Sequence, residues 1–130
     1  MKAHDFFASF AVADIDPARN FYRDVLGMQV DAHDDFMELR GDGTKVLVYA
    51  KPDHHPAGFT VLNLEVPDIR SAVADLAAKG VHFEHYGDGP LQTDAEGIHR
   101  DEMATIAWFK DPSGNFLSLM EQQGSSDQGR

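Results

Sequence analysis

Val12-Ala13-Asp14-Ile15 and Val66-Pro67-Asp68-Ile69 stand 54 residues apart and open the same pattern twice. Each closes a strand-like run, residues 6–12 or 59–66, and each leads into a short helix stopped by a glycine, Gly27 or Gly80. In the first helix Ala18, Phe21, Tyr22, Val25 and Leu26 fall at i, i+3, i+4, i+7 and i+8, which is one apolar face. Asp14 or Asp16 can cap it, and Pro17 suits its first turn. Ile69, Ala72, Val73, Leu76 and Ala77 repeat that spacing after Asp68, with Asp75 and Lys79 as an i,i+4 pair on the outer side. A glycine accepts the left-handed backbone that ends a helix.

Three strand-like runs follow each helix. They are 28–32, 36–40 and 45–49 in the first half, and 82–86, 105–109 and 116–121 in the second. Asp34-Asp35 and Gly41-Asp42-Gly43 supply turns. Each half therefore reads βαβββ, over residues 5–51 and 58–122, joined by a proline-containing linker. A single helix covers one face of four strands and leaves the other bare. Two such modules are expected to form one α+β domain, 1–122, around a shared concave sheet surface. Residues 123–130 read as a flexible polar tail.

The size fits a domain with a real core. With no cysteine, disulfide frameworks, thiolate metal sites and a cysteine nucleophile are excluded. The formal net charge of -11 speaks against nucleic acid and anionic membrane partners and suits a cationic ligand or simply a solvated surface. No apolar run approaches the ~18 residues of a membrane span, and Met1-Lys2-Ala3-His4-Asp5 does not read as a signal peptide. A cytoplasmic location is expected.

Asp14-Ile15, the run Phe21-Tyr22-Arg23-Asp24-Val25-Leu26-Gly27, Asp68-Ile69 and Asp111-Pro112-Ser113-Gly114-Asn115 together resemble the vicinal oxygen chelate superfamily. This is the glyoxalase/bleomycin resistance protein/dioxygenase type, in particular its small single-domain bacterial members. The resemblance covers about residues 5–122 and implies the paired-module fold and a homodimer. The last motif reads as a tight turn between antiparallel strands.

Metal-dependent members of that superfamily carry four His, Glu or Gln ligands on the first and last strands of each module. These positions match Phe7, Val46, Val61 and Ser118, and none is a ligand of that type. Shifting each strand by one residue supplies no set either. No metal and no cofactor are expected. Val46 and Ser118 are 72 residues apart rather than 54, so the second module carries about 18 extra residues before its final strand.

Period-two alternation places Ser9, Val48, Asn63, Glu65, Phe116 and Met120 with those four on the concave side. Phe10, Val12, Leu47, Leu62, Leu64, Val66, Leu117 and Leu119 then face the helices. Asn63 either orients a ligand or ties adjacent strands. The extra segment, 87–104, holds Asp94, Glu96, His99 and Arg100. It is either a lid, with Trp108 as an aromatic wall, or a disordered acidic loop. The candidate ligand-binding residues are Phe7, Ser9, Val46, Val48, Val61, Asn63, Glu65, Asp94, Trp108, Phe116 and Ser118.

Two functions follow, beside a third and blander one, a small interaction or regulatory module whose cavity is empty. One is metal-free binding of a small, largely apolar organic ligand, with a cationic one suited to the acidity, as the bleomycin-resistance resemblance implies. The other is a glyoxalase-like lyase or dioxygenase-type enzyme with a non-standard site. Proton transfer by Glu65, Asp94, Glu96 or His99 is chemically possible, but no spacing assigns a catalytic residue.

Overall fold

The structure, a computed structural model, describes residues 1–121; the expected tail at 123–130 lies outside the described residues. The chain groups into two compact units. The first is Met1–Pro56 together with Asp111–Asn115, and the second is Ala57–Lys110 with the chain from Phe116. The fold is α+β and built from two βαβββ modules, as the repeat predicts.

The first unit runs β1 (Ala8–Val12), α1 (Ile15–Asn20), a π-helical turn (Phe21–Val25), β2 (Gln29–Ala32), β3 (Phe36–Gly41) and β4 (Thr44–Ala50). Its sheet order is β1-β4-β3-β2, with β1 and β4 parallel and the other pairs antiparallel. Asp14 is the helix cap: its carboxylate accepts from the Asp16 amide at 3.3 Å. The apolar face is narrower than its sequence spacing suggests. Leu26 N bonds to Phe21 O at 3.0 Å, five residues back, and this wider turn breaks the 3.6-residue period. Ala18 and Tyr22 are buried, while Phe21, Val25 and Leu26 are half-buried. Tyr22 packs on Phe10 with ring centroids 6.1 Å apart, over a core that includes Val12, Met37, Leu39 and Val48.

The turn Asp111–Asn115 belongs to this unit and is organised by one buried carboxylate. Asp111 Oδ1 accepts the amides of Ser113 and Asn115, each at 2.9 Å. Its Oδ2 accepts the Tyr22 hydroxyl at 2.7 Å and Asn115 Nδ2 at 3.0 Å. Asn115 Nδ2 also donates to Ala11 O at 2.8 Å, and the Ala13 amide donates to Ser113 Oγ at 2.9 Å. The motif is a structural turn, with Gly114 at φ 86° supplying the left-handed residue.

The second unit runs β5 (Thr60–Val66), α2 (Ile69–Ala78), β6 (Ile98–Arg100), β7 (Thr105–Lys110) and β8 (Phe116–Glu121), in sheet order β5-β8-β7-β6. Asp68 caps α2 by accepting from the Ser71 amide at 3.3 Å. The Ile69 amide donates to Glu121 Oε1 at 2.9 Å, so a second carboxylate meets the positive end of the helix. Ile69, Val73 and Leu76 are buried, as are Phe109, Leu117 and Leu119 of the sheet.

The strand expected at 82–86 is reduced to a single bridge, Phe83 to Phe109, followed by a bond from Glu84 N to Trp108 O at 2.8 Å. The pairing with β7 resumes at once with Ile98 opposite Ala107. The edge strand is thus interrupted, and residues 85–97 form an excursion from it. The excursion is folded. Tyr86 and Thr93 exchange bonds in both directions, each amide donating at 2.8 Å. Gly97, at φ 88°, closes the base so tightly that a Cβ there would sit 3.0 Å from Phe83 Cβ.

Candidate functional site

Residues aligned across neighbouring strands present their side chains on the same face of a sheet. In the first unit β1 and β4 align Ala8 with Val46, Ser9 with Leu47, Phe10 with Val48 and Ala11 with Tyr49. Phe10 and Val48 are buried on the helix side. The open face therefore carries Ser9, Leu47 and Tyr49, with Phe36 and Glu38 from β3. Phe7 precedes β1 and joins this face, its ring lying 4.8 Å under Lys45 Nζ.

This corrects the expected register of β4 by one residue. Val46 and Val48 belong to the helix side, and Leu47 takes the place given to Val46 beside the first strand. Val46-Leu47-Val48 is apolar throughout, so alternation could not choose its inward face. Pairing with β1 makes the choice, together with the two-residue turn at Asp42-Gly43 that aligns Gly41 with Thr44.

In the second unit the expected register agrees with the pairing. Asn63, Ser118 and Trp108 form one row across β5, β8 and β7. Glu65, Met120, Ile106 and His99 form the next. Phe116 is aligned with Lys110, whose Nζ lies 5.0 Å over its ring. Val61 falls at the bulge where the register shifts between Thr60 and Leu62, so pairing does not carry it onto this face. Ser118 is buried and its Oγ donates to Asn63 Oδ1 at 2.6 Å. The Asn63 carbonyl oxygen thus ties two strands.

His99 is the residue that sequence reasoning placed least well. It lies in β6, buried, with its ring 6.1 Å from that of Trp108, and Tyr86 meets Trp108 edge-on at 5.7 Å. Its Nδ1 is 2.8 Å from Gln92 O and its Nε2 is 2.7 Å from Asp101 Oδ2. The bond to Asp101, then that to the Gln92 carbonyl, hold its pKa above the ordinary imidazole value. Only the assignment of a strand to 98–100 could have revealed this position, and three residues inside an acidic loop give no such signal.

Asp94 is a loop organiser. Its Oδ1 accepts the amides of Glu96 and Ile98, each at 2.9 Å, and its Oδ2 accepts Arg100 Nη1 at 2.7 Å. Partial burial pushes its pKa up, but those amides and Arg100 outweigh it and hold the carboxyl below its usual value. Gln92, Asp94, His99 and Arg100 border an open groove of about 500 Å³ beside the excursion. A second groove, about 390 Å³, lies beside Phe6, Arg40 and Lys45 in the first unit.

The residues at the family's metal positions do not fit a divalent cation. Phe7, Leu47 (or Val46) and Val61 offer no donor atom, and the Ser118 hydroxyl is committed to Asn63. Among the described residues there is no cluster of three or more His, Cys, Asp or Glu able to hold a metal. His99 cannot take a proton from a substrate while both ring nitrogens are engaged as found.

The crystal structure of TnmS3, an antibiotic binding protein from Streptomyces sp. CB03234, is similar with a TM-score of 0.67 and 23% identity, over 95% of this chain and 100% of that one. Lactoylglutathione lyase from Agrobacterium tumefaciens matches with a TM-score of 0.68 and 16% identity, over 96% and 98% of the two chains. The fosfomycin resistance protein FosX from Listeria monocytogenes matches with a TM-score of 0.68 and 10% identity, over 95% and 96%. At these identities the likeness is one of fold. No curated protein matches the chain significantly. The sequence model described as the Glyoxalase/Bleomycin resistance protein/Dioxygenase superfamily matches residues 5–119. The chain belongs to that superfamily.

Proposed function

We propose that the protein binds a small, largely apolar organic molecule on the helix-free faces of its sheets, without a metal at the family's usual site. The observation that carries this reading is the chemistry of those faces. The second unit presents the row Asn63-Ser118-Trp108 with His99 and Tyr86 beside the indole. The first presents Phe7, Phe36 and Tyr49, which are 54%, 37% and 39% exposed. Aromatic surface with a few fixed polar groups suits a ligand held by burial and oriented by hydrogen bonds. Covering ~200 Å² of such surface is worth ~5 kcal/mol before the entropic costs of association.

The net charge of -11, with Glu38 on the aromatic face, favours a ligand with cationic character. The antibiotic-binding neighbour supports sequestration of a drug-like molecule as the physiological task. A homodimer acting in the cytoplasm completes the reading. No helix among the described residues is long and apolar enough to cross a membrane.

Calorimetric titration and thermal shift against a panel of antibiotics, cationic and neutral, test it. The expected result is saturable binding to at least one aromatic compound by protein stripped with chelator. Silence across the panel, with stoichiometric Ni, Zn, Fe or Mn in protein purified without chelator, would replace this reading with a metalloenzyme of the same superfamily.

A further inference from the structure

We propose that His99 is a proton-operated latch that closes the excursion 85–97 onto the open face of the second unit. The inference goes beyond ligand binding and does not depend on it. Its basis is the pair of partners on the imidazole. Gln92 O, 2.8 Å from Nδ1, is a backbone carbonyl, and Asp101 Oδ2, 2.7 Å from Nε2, belongs to a carboxylate. Both can only accept. Two N–H groups are therefore needed at once, and only the imidazolium has two.

The surroundings fix the charge balance. Asp101 is itself held: its Oδ1 accepts the amides of Met103 and Ala104 at 2.7 and 2.9 Å. The bond from His99, then those two amides, keep its carboxyl below the usual range, so it stays an anion. Arg100, next along β6, is paired with Asp94 and leaves His99 to Asp101. On β7 the aligned neighbour is the apolar Ile106, and the adjacent ring is Trp108. From the excursion, Tyr86 faces Trp108, and Glu96 pairs with Arg70 at 3.5 Å. Glu84 stands at the base, and the His85 ring lies between the carbonyls of Phe83 and Ala95. Among the described groups, Asp101 is the anion in contact with the His99 ring.

Loss of one proton leaves one N–H for two acceptors. The bond to a carboxylate is the stronger, so the hydrogen stays on Nε2. The Nδ1 lone pair then opposes the lone pairs of Gln92 O, and the excursion is released at Gln92. The next residue, Thr93, is bonded to Tyr86, and Tyr86 packs on Trp108. Release at one carbonyl thus reaches the aromatic centre of the open face in two steps. The latch is closed on the acid side and opens as the pH rises through the raised folded-state value of His99, above the ordinary 6.5.

Trp108 is the one tryptophan in the chain, so its emission reports this site alone. The experiment is a fluorescence titration of the full chain from about pH 5 to 9, paired with the NMR shift of the His99 ring carbon and amide exchange corrected for intrinsic rates. Expected are a rise in emission as imidazolium quenching is lost, a midpoint above the ordinary imidazole value, and faster exchange at 85–97 on the alkaline side. Asp101→Asn should lower the midpoint by about one pH unit or more. His99→Gln should abolish the transition. In a His85→Gln background, which removes the other ring held between two carbonyls, the transition and the faster exchange should both persist. Emission independent of pH in the folded protein would overturn the latch. So would a neutral His99 at pH 6, a midpoint unmoved by Asp101→Asn, or exchange at 85–97 unchanged through the transition.

Discussion

The Tyr22 hydroxyl donates to Asp111 Oδ2 at 2.7 Å, joining a π-helical turn to a strand-connecting turn 89 residues away in the sequence. Both groups are buried, and the carboxylate uses its two oxygens to accept four bonds. Tyr22→Phe removes one bond to a charged acceptor with little change of shape. The expected loss of stability is about 1.5–3 kcal/mol by urea denaturation. Asp111→Ala strands three amide donors and the phenol together, and should cost more.

The same pair shapes the alkaline limit. Burial first, and the Asp111 charge second, push the Tyr22 phenol above its ordinary value of 10.0. The neutral form is thus the folded form. Its contribution is complete below pH 10 and is lost as the pH rises further, because the unfolded chain then releases a proton that the folded chain keeps. The urea midpoint should fall above that pH, and it should fall less steeply in Tyr22→Phe.

Gly97→Ala is expected to destabilise the base of the excursion by about 2–3 kcal/mol, from the left-handed backbone and the added contact combined. The new Cβ would stand 3.0 Å from Phe83 Cβ and 3.2 Å from Glu84 O, neither of which can swing away cheaply. Proteolysis and amide exchange within 85–97 are the sensitive readouts. Both should rise while α2 keeps its protection.

The register of β4 is testable by two truncations one residue apart. Val48→Ala empties a fully buried site and should cost about 1.5–3 kcal/mol. Leu47→Ala acts on the open face and should cost under about 1 kcal/mol while weakening any ligand bound there. A larger loss from Leu47→Ala than from Val48→Ala would place the strand in the other register.

Legibility in the sequence followed the strength of the local signals. Asp68 was readable as a helix start because a carboxylate before an apolar run can cap it, whereas Asp14 and Asp16 were equal candidates for the first cap until the structure gave it to Asp14. β5 and β8 declared their faces by alternation, so Asn63 and Ser118 fell on one side together. The apolar run Ile106-Ala107-Trp108-Phe109 left β7 undecided, and only its pairing with Ser118 gives Trp108 its face. β4 did not declare its face either, since three consecutive apolar residues satisfy either face and only the β1 partner decides. The first helix hid its π turn because hydrogen-bond offset leaves no mark on apolar spacing. β6 was invisible for a different reason. Its three residues are made a strand by β7, and nothing in Ile98-His99-Arg100 itself demands one. The engagement of Asp94 with its own loop was equally hidden, because an Asx turn and a ligand-facing aspartate look alike in sequence.

The interrupted edge strand has a consequence for how such a chain can diversify. Phe83 opposite Phe109, Glu84 bonded to Trp108, and Ile98 opposite Ala107 are consecutive rungs on β7, so the ladder is complete without residues 85–97. That segment behaves as an exchangeable cassette spliced between two rungs. Its length and chemistry can be rewritten between Tyr86 and Gly97 without removing a rung from the sheet.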